Sequence, residues 1–361
     1  MNVTFVKQTT IVQCVRIVMN IAIVMDGMVK LMSDRDWSAY AKSSYILGEK
    51  EYLRITKSSL TSDFDFCPKQ YEYKRIHKLP EPSTDAMTKG TNVHDAIEKF
   101  YDNVTPILPE LYRLMKNLRN DEALKMALSV IPEQEYHLGE ESAIQQRIVW
   151  DLERLRVTGV ANYLPVINEL EVHAFTEEEI EFNGEVHKIP IHFAGSIDRG
   201  FATDEGTYAL MELKTGKWVQ TKDKNDEWQD SKFKVDSMRT EMAFYKKLLA
   251  YANHPYQDVT HWGWVYPSGV PNELELLNKY GYEQRGINKI VYESCMNKVG
   301  DKHAKAVDKL KTALLTAYLA NDFPTKASAG KCAYCNFKSI CPSWEGSDNP
   351  QEYLDAYQEE E

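Results

Sequence analysis

Cysteine, positive charge and long apolar runs are all scarce in this sequence, and each shortage excludes a class of protein. Six cysteines among 361 residues are too few for a secreted scaffold held by disulfides. The net charge of −11 excludes a protein that coats nucleic acid indiscriminately, but a local basic channel remains compatible with it. The apolar run at residues 11–25 contains Arg16 and is too short for a membrane span. We therefore expect no membrane segment.

The chain divides by composition into an extension, one large domain and a tail. We interpret residues 1–55 as an N-terminal extension, either amphipathic or the product of a start codon placed too early, and residues 34–57 as its connector to the domain. Residues 56–345 are long enough for a sizeable core. Within them, residues 106–163 have a helical pattern with long polar faces and offer no catalytic candidate. Residues 346–361 form an acidic tail.

Two carboxylates face each other in a predicted hairpin near the middle of the chain. Residues 194–201 and 207–214 have the pattern of strands, and three turn residues centred on Glu205 lie between them. A hairpin symmetric about Glu205 places Asp198 directly opposite Glu212. Facing residues of this kind have Cβ atoms roughly 5 Å apart.

Carboxylates this close repel each other in an apolar setting and need a cation between them. Lys214 follows Glu212 by two residues and therefore projects from the same face. Asp198, Glu212 and Lys214 together predict a divalent-metal site, and hard oxygen ligands favour Mg²⁺ or Mn²⁺ over zinc. The alternative is a cross-strand ion pair on a solvated face. The apolar residues around Glu212 favour a buried strand, where carboxylates need a partner.

A second metal centre is indicated by cysteines at the C-terminal end of the domain. Cys332, Cys335 and Cys341 have the spacing C-x2-C-x5-C and lie within residues 326–345. A tetrahedral sulfur site needs a fourth ligand, and no histidine is near in sequence. Cys67, which is followed by proline at a junction between two predicted helices, is the natural candidate. Zinc and an iron–sulfur cluster both accept four thiolates.

These motifs together resemble the RecB-like branch of the PD-(D/E)XK nucleases. The resemblance rests on Gly195-Ser-Ile-Asp198-Arg followed by Glu212-Leu-Lys214-Thr-Gly, and it covers residues 56–345 in the same motif order. It implies that Asp198 and Glu212 hold the metal with the backbone carbonyl of Leu213, and that Lys214 positions or activates the attacking water. The cysteines resemble those of the iron–sulfur subgroup, which includes CRISPR adaptation nucleases and the AddB nuclease domain. That resemblance implies a [4Fe–4S] cluster, with structural zinc as the alternative.

Two further segments correspond to features of that family, and the composition of a third suggests a DNA contact. His94, on a predicted amphipathic helix, is by itself more often a structural hydrogen-bonding residue than a ligand, but the resemblance makes it a further metal ligand. Glu241 and Tyr245 occupy the place of a family Gln-x-x-x-Tyr pair, with Glu in place of Gln, and are either DNA contacts or core. Lys217 and Trp218 open a basic and aromatic loop that suits single-stranded DNA. An ordinary solvated loop is the alternative.

The sequence thus predicts an α/β protein with a restriction-endonuclease-like core. We expect a central mixed sheet flanked by helices, with a helical insert and a C-terminal iron–sulfur cap. The expected function is a Mg²⁺- or Mn²⁺-dependent DNA nuclease of the cytoplasm of a prokaryote or an infected host cell. We expect an exonuclease acting on linear or single-stranded DNA ends in recombination, repair or end processing, with a recombination or helicase protein as partner. An endonuclease, a non-catalytic DNA-binding scaffold subunit and a zinc-ribbon interaction protein are the alternatives.

Overall fold

A computed structural model describes residues 44–47, 50–81, 85–133, 139–203, 205–216, 220–222, 224–225, 228–265, 297–298 and 300–344. These residues all belong to one unit, Ala41–Glu361. The structural findings below concern these ranges.

A mixed sheet of seven strands forms the centre of the fold. Its order is β1-β2-β4-β5-β8-β9, and β3 pairs with β4 outside this path. The strands of this sheet are β1 Ser44–Leu47, β2 Lys50–Thr56, β3 Ile167–Phe182, β4 Glu185–Ala202, β5 Tyr208–Leu213, β8 Val259–Val265 and β9 Asn297–Lys298. A separate pair consists of β6 Gln220–Lys222 and β7 Trp228–Asp230. The sheet is mixed because β2 pairs with β4 and β5 with β8 in parallel, whereas its other pairs are antiparallel.

Helices cover both faces of this sheet. They are α1 Pro68–Tyr71, α2 Asp85–Asn103, α3 Leu108–Lys116, α4 Asn120–Leu128, α5 Glu140–Thr158, α6 Lys232–Tyr251, α7 Asp301–Ala320 and α8 Ala329–Ala333. Two π-helical segments, Ser59–Phe64 and Glu72–Ile76, lie on either side of α1. The predicted α/β fold, with a central mixed sheet flanked by helices, is confirmed.

Two apolar cores lie on opposite faces of the sheet, as the alternation of side chains along a strand requires. Leu210 of β5 packs into the first core with α6 and α7. Its neighbours Ala209 and Met211 point the other way, into a second core formed with α2 to α5. We call these the α6 core and the insert core.

Strand β4 organises the sheet because it pairs with three others. Strand β3 follows it over most of its length, through a turn in which Asn183 and Gly184 both have positive φ, 54° and 82°. Such a turn matches the twist of the two strands. The other edge of β4 is shared, with β2 along 191–194 and β5 along 199–202. Strands β2 and β5 run in opposite directions, so their carboxyl ends converge on residues 195–198.

The alternation of side chains along β3 and β4 is interrupted at one point, beyond which the side chains point into the opposite core. Ile197 packs into the α6 core, whereas Phe201, which is four residues further along and would share its face in a regular strand, packs into the insert core. The switch coincides with the one pair missing from the β3–β4 ladder, Glu169 and Asp198. Glu169 has φ of 50°, in the left-handed region that side chains other than glycine rarely adopt. Both carboxylates therefore lie at an irregularity in the sheet.

The structure corrects two interpretations of the first ninety residues. Residues 44–47 and 50–56 were expected to belong to the extension and its connector, but they form β1 and β2, and β2 is paired with β4 inside the sheet. The apolar residues Leu53 and Ile55 of β2 are buried because of this pairing. The proline-bearing residues 76–89 have the sequence pattern of a loop, but helix α2 begins within them, at Asp85.

Helices α3, α4 and α5 lie within residues 106–163, but the polar residues of this segment are not all at the surface. Arg147, Asp151 and Arg154 of α5 are buried. Asp151 accepts a hydrogen bond of 2.7 Å from the hydroxyl of Tyr101 and forms an ion pair of 2.8 Å with Arg147. Buried charges of this kind are compatible with a core only when they are paired. Part of the predicted polar face is therefore an internal network between α5 and α2.

No helix in the described ranges is both long and apolar enough to cross a membrane.

The buried histidine His192 makes stability depend on pH. Its ring stacks on Phe175 at a centroid distance of 4.6 Å, and its Nε2 lies 2.9 Å from Nδ1 of His173. Burial, followed by the charges of His173 and Arg54, lowers the pKa of His192 to about 3. The unfolded chain, with an ordinary pKa of about 6.5, therefore binds a proton that the folded protein does not bind between these pH values.

Stability is thus complete above pH 6.5 and falls as the pH decreases toward 3. The comparison protein is His192→Phe, which keeps a ring but cannot be protonated. Below pH 6 we expect the unfolding free energy of wild type to fall by about 1.4 kcal/mol per pH unit more than that of His192→Phe. Urea unfolding at pH 7, 6 and 5 measures the difference. Parallel pH dependences in the two proteins would contradict the assignment.

Candidate active site

The β4–β5 hairpin has the register that its symmetry predicts. Arg199 pairs with Met211, so that Asp198 and Glu212 are the next residues opposite each other. The backbone N–H of Leu213 donates a hydrogen bond of 2.6 Å to Oδ2 of Asp198. Both carboxylates are buried. The solvated ion pair considered as an alternative is therefore excluded.

Two lysines hold Glu212 in its charged form. Its Oε1 accepts a hydrogen bond of 2.7 Å from Nζ of Lys214 and another from Nζ of Lys57. Burial alone would raise the pKa of Glu212, but the ammonium groups of Lys214 and Lys57 lower it to about 2. Within the described part of the chain, no donor reaches the buried Oε2 atom. Glu212 is thus an anion with one oxygen available to a further ligand.

Asp198 has the opposite shift. Burial and then the negative charge of Glu212 raise the pKa of Asp198 to about 6. Two carboxylates in one site whose pKa values move apart are typical of crowded negative charge. A divalent cation between them would relieve the repulsion.

Helix α2 brings His94 to the same place. Its Nε2 lies 3.0 Å from the carbonyl oxygen of Leu213, and its Nδ1 lies 3.3 Å from Oε1 of Glu169 and 3.8 Å from Oδ2 of Asp198. Burial alone would lower the pKa of His94, but Asp198 and Glu169 outweigh it and raise that pKa to about 9. The structure therefore gathers His94, Asp198, Glu212 and the Leu213 carbonyl, all of which the sequence singled out.

Glu169 is a site residue that the sequence did not reveal. One ligand atom each from His94, Glu169 and Asp198 lie within 4.8 Å of one another. Arg199 donates a hydrogen bond of 2.9 Å to Glu169, and Ser196 donates one of 3.4 Å. No motif marks Glu169, because it reaches the site through the irregularity in β3. Its left-handed backbone is the kind of local strain that persists where function requires it.

Lys57 is a second residue that sequence reasoning missed. It directly follows β2, whose carboxyl end meets that of β5 beside residues 195–198 of β4. Its Nζ lies 3.5 Å from Oε2 of Glu241, in addition to its bond with Glu212. Only the parallel pairing of β2 with β4 brings this lysine to residues more than 150 positions away.

Helix α6 contributes Glu241 and Tyr245 beside the two lysines. Oε2 of Glu241 lies 3.3 Å from Nζ of Lys214. Tyr245 is buried in the α6 core, and Nζ of Lys57 lies 5.0 Å above the centre of its ring. Its burial favours the interpretation of Tyr245 as core, and Glu241 is placed among the charges of the site. The other two expected DNA contacts, Lys217 and Trp218, lie outside the described residues.

All four cysteines of the predicted cap line one cavity. They are free thiols, and each is partly exposed. Cys67 lies between the π-helical segment Ser59–Phe64 and α1, as predicted, and its Sγ accepts a hydrogen bond of 3.3 Å from the backbone N–H of Lys326. Among the described residues, no three of these sulfurs lie within 4.8 Å of one another. The four thiols are therefore not gathered as closely as the ligands of a tetrahedral zinc ion, and the described residues do not show the predicted cluster.

A small apolar cluster joins the segment after Cys67 to the segment that contains the other three cysteines. It consists of Tyr73, Leu79, Phe337 and Ile340. The hydroxyl of Tyr73 donates a hydrogen bond of 3.3 Å to the carbonyl of Ile340. The cysteine segment is thus attached to the N-terminal part of the domain by packing as well as by the shared cavity.

The pattern of the PD-(D/E)XK nuclease superfamily matches residues 58–342, a range that includes His94, both hairpin carboxylates and all four cysteines. The chain belongs to this superfamily. No curated protein matches the chain. Among solved structures, the crystal structure of SSO0001 aligns at 17% identity and a TM-score of 0.27, over 65% of this chain and 84% of that chain.

Membership of the PD-(D/E)XK superfamily implies a metal-dependent nuclease, and the site of this nuclease fits a divalent metal. The open Oε2 of Glu212, the carboxylate of Asp198 and the carbonyl of Leu213 are hard oxygen donors, which Mg²⁺ and Mn²⁺ prefer. His94 adds an imidazole nitrogen that faces the same carbonyl. The donor set is therefore that of a hard divalent ion, with one nitrogen.

Glu169 is expected to hold His94 in the orientation that a metal requires. A carboxylate bonded to Nδ1 leaves Nε2 as the ligand atom, and losing such a partner typically lowers metal affinity 10- to 100-fold. We expect Glu169→Gln to weaken Mn²⁺ binding by at least about tenfold, as measured by titration calorimetry. Glu179→Gln, an exposed change on the same strand, is the matched control. Unchanged affinity in a folded Glu169→Gln variant would show that the residue only supports the sheet.

Proposed function

We propose that this protein is a Mg²⁺- or Mn²⁺-dependent DNA exonuclease of the RecB-like branch. The observation that carries the proposal is the convergence of His94, Asp198, Glu212 and the Leu213 carbonyl beside the ammonium group of Lys214. A divalent ion held by this set would supply Lewis acidity, which would lower the pKa of a water molecule and offset charge on the phosphate.

Lys214 acts as a cation in this proposal. Burial alone would lower the pKa of Lys214, but Glu212 and Glu241 outweigh it and raise that pKa above its usual range. A protonated ammonium group does not accept the proton of the attacking water. It orients that water or stabilises the negative charge that develops on the phosphate, by hydrogen bonds directed at the reacting atoms.

The same proposal assigns a [4Fe–4S] cluster to Cys67, Cys332, Cys335 and Cys341. One observation supports it: the four thiols line one cavity. Thiolates are the ligands of such clusters. Residues 56–345 would then be one nuclease domain whose two ends are joined by the cluster, with a mainly structural role for the metal centre.

The preference for free or single-stranded DNA ends rests on the resemblance to RecB-like nucleases. The same resemblance supports three further proposals: a role in recombination, repair or end processing, a recombination or helicase protein as partner, and a location in the cytoplasm of a prokaryote or an infected host cell. Lys217 and Trp218 are proposed as contacts to single-stranded DNA, because basic groups and aromatic rings bind phosphates and stack on bases.

Cleavage of end-labelled DNA by anaerobically purified protein tests the proposal. Linear DNA labelled at the 5′ or the 3′ end is incubated with Mg²⁺, Mn²⁺ or a chelator, and circular DNA of the same sequence is included. We expect degradation that requires metal, spares the circle and is lost in Lys214→Ala. Lys188→Ala, which removes an exposed lysine at the far end of β4, is the matched control.

The labels also separate the alternatives. Release of mononucleotides from one labelled end gives the polarity of an exonuclease, whereas cutting of the circle indicates an endonuclease. Intact DNA in every lane, with folded protein and full iron content, would favour a non-catalytic scaffold subunit.

A further inference from the structure

The active site contains an ion pair outside the proposed metal ligands. Lys57 and Glu241 lie 3.5 Å apart, and neither is among those ligands. The RecB-like pattern that this chain resembles has a glutamine at position 241, where this chain has glutamate.

The four charged side chains form a closed arrangement. Lys57 and Lys214 both bond to Oε1 of Glu212, and both lie near Oε2 of Glu241, at 3.5 and 3.3 Å. The two positive and two negative charges of these four side chains therefore cancel.

The cations of this arrangement lie nearer to solvent than the anions. The side chains of Lys57 and Lys214 are 17% and 27% exposed, whereas those of Glu212 and Glu241 are 3% and 9% exposed. A phosphate that approaches from solvent therefore meets the ammonium groups first. Each lysine has a short bond to Glu212 and a longer contact with Glu241. The contact with Glu241 is therefore the weaker of the two, and it is the one that a ligand would displace.

The fold holds Lys57 in place through a hydrogen-bonded turn at the end of β2. The backbone N–H of Thr56 donates to Oγ of Ser59 at 2.8 Å, and the N–H of Ser59 donates to Oγ1 of Thr56 at 3.1 Å. Thr61 donates a bond of 2.9 Å to the carbonyl of Lys57 itself. The ring of Tyr245 lies beneath the ammonium group. Lys57 is thus positioned in advance, which lowers the entropic cost of binding a ligand.

We propose that Lys57 is a second phosphate-binding cation of the active site and that Glu241 is its charge partner when no DNA is bound. On this proposal a phosphate oxygen of the substrate replaces Glu241 at the ammonium groups, while Glu212 keeps its bonds to both lysines. The proposal rests on the proposed nuclease function and names a further residue that contacts the substrate.

The salt dependence of DNA binding distinguishes a phosphate contact from a structural role. Binding of a fluorescent duplex is measured by anisotropy with Ca²⁺ in place of Mg²⁺, over a series of salt concentrations. Each phosphate contact contributes a slope of about −0.9 to the plot of log affinity against log salt for duplex DNA. We expect Lys57→Met to make this slope shallower by about 0.9 and to weaken binding about tenfold at low salt.

Two further variants define the role of the lysine. Lys57→Arg keeps the positive charge and is expected to retain the slope of wild type. Lys188→Met removes one exposed lysine far from the site, so it changes the net charge equally and is expected to leave the slope unchanged. A Lys57→Met slope equal to that of wild type, in a protein that unfolds at the wild-type temperature, would overturn the proposal.

Glu241→Gln tests the partnership. Removing the competing carboxylate is expected to tighten DNA binding several-fold when Lys57 is present, and by much less in the Lys57→Met background. Equal effects in the two backgrounds would show that Glu241 does not act through Lys57.

Failure of this inference and failure of the proposed function give different results. If wild type cleaves DNA but Lys57→Met has an unchanged slope, only the role of Lys57 is wrong. If wild type neither binds nor cleaves DNA, the nuclease proposal fails, and the role of Lys57 fails with it.

Discussion

Replacing Asp198 by asparagine is expected to abolish cleavage without weakening the fold. Asparagine keeps an oxygen for the backbone N–H of Leu213, so the local hydrogen bond survives. It removes the charge that would bind a divalent ion. Metal ions contribute several kcal/mol to catalysis of this kind, which corresponds to a rate loss on the order of 10³-fold.

Asp198→Asn is expected to lose activity but to gain stability. The pKa of Asp198 is about 6 in the folded protein, above the ordinary value of about 4, because burial and Glu212 disfavour its charge. At pH 7 the folded protein is therefore destabilised by this ionised group, by on the order of 2–3 kcal/mol in the absence of metal. A neutral asparagine removes that cost, so we expect an unchanged or higher melting temperature in chelator.

The measurement combines cleavage rate, Mn²⁺ affinity and melting temperature in one set of proteins. Asp301→Asn, an exposed change at the start of α7, is the matched control for the loss of one carboxylate. Cleavage by Asp198→Asn at the wild-type rate would exclude Asp198 as a metal ligand. A lost rate with a much lower melting temperature would point instead to misfolding.

Replacing Cys67 by serine is expected to remove the metal centre and to loosen the C-terminal segment. Cys67 lies roughly 265 residues before Cys332 in the sequence, so a cluster that joins them closes a very long loop. By the loop-entropy relation for a crosslink of that length, the join stabilises the fold by about 5 kcal/mol. The small cluster of Tyr73 and Phe337 remains and retains part of the attachment.

Iron and sulfide analysis, the visible absorption spectrum and urea unfolding of anaerobically purified proteins check this prediction. We expect Cys67→Ser to lose iron, sulfide and several kcal/mol of stability together. Cys14→Ser, at a cysteine with no assigned role, is the control. Stoichiometric zinc in the wild-type protein would show that the cysteines hold zinc and not an iron–sulfur cluster. Full iron content in Cys67→Ser would show that Cys67 is not a ligand.

Much of the site follows from short-range rules that act along the sequence. The register that places Asp198 opposite Glu212 is fixed by a turn of a few residues, and the alternation of a strand puts Lys214 on the face of Glu212. The helix carrying His94 and the helix carrying Tyr245 are marked by their apolar periodicity. The placement of Cys67 between two helical segments follows equally from local signals.

Other parts were decided only by tertiary structure. The segments 44–47 and 50–56 are short and lack a strong strand pattern; they form strands because β2 pairs with β4 and β1 pairs with β2. Lys57 enters the site as a consequence of that pairing. Glu169 enters because β3 and β4 switch faces together, an irregularity that no local propensity encodes.

The sequence by itself therefore determined how the hairpin carboxylates, Lys214 and the three C-terminal cysteines are placed relative to their neighbours, because a short turn, strand alternation and the C-x2-C-x5-C spacing act over few residues. Tertiary structure decided which additional charges surround them. Lys57 and Glu169 lie far in sequence from the residues they contact, and only the convergence of β2, β3 and β5 on one segment of β4 brings them there. Contacts of that kind depend on which strands pair with each other, and strand pairing depends on side-chain burial across the whole sheet.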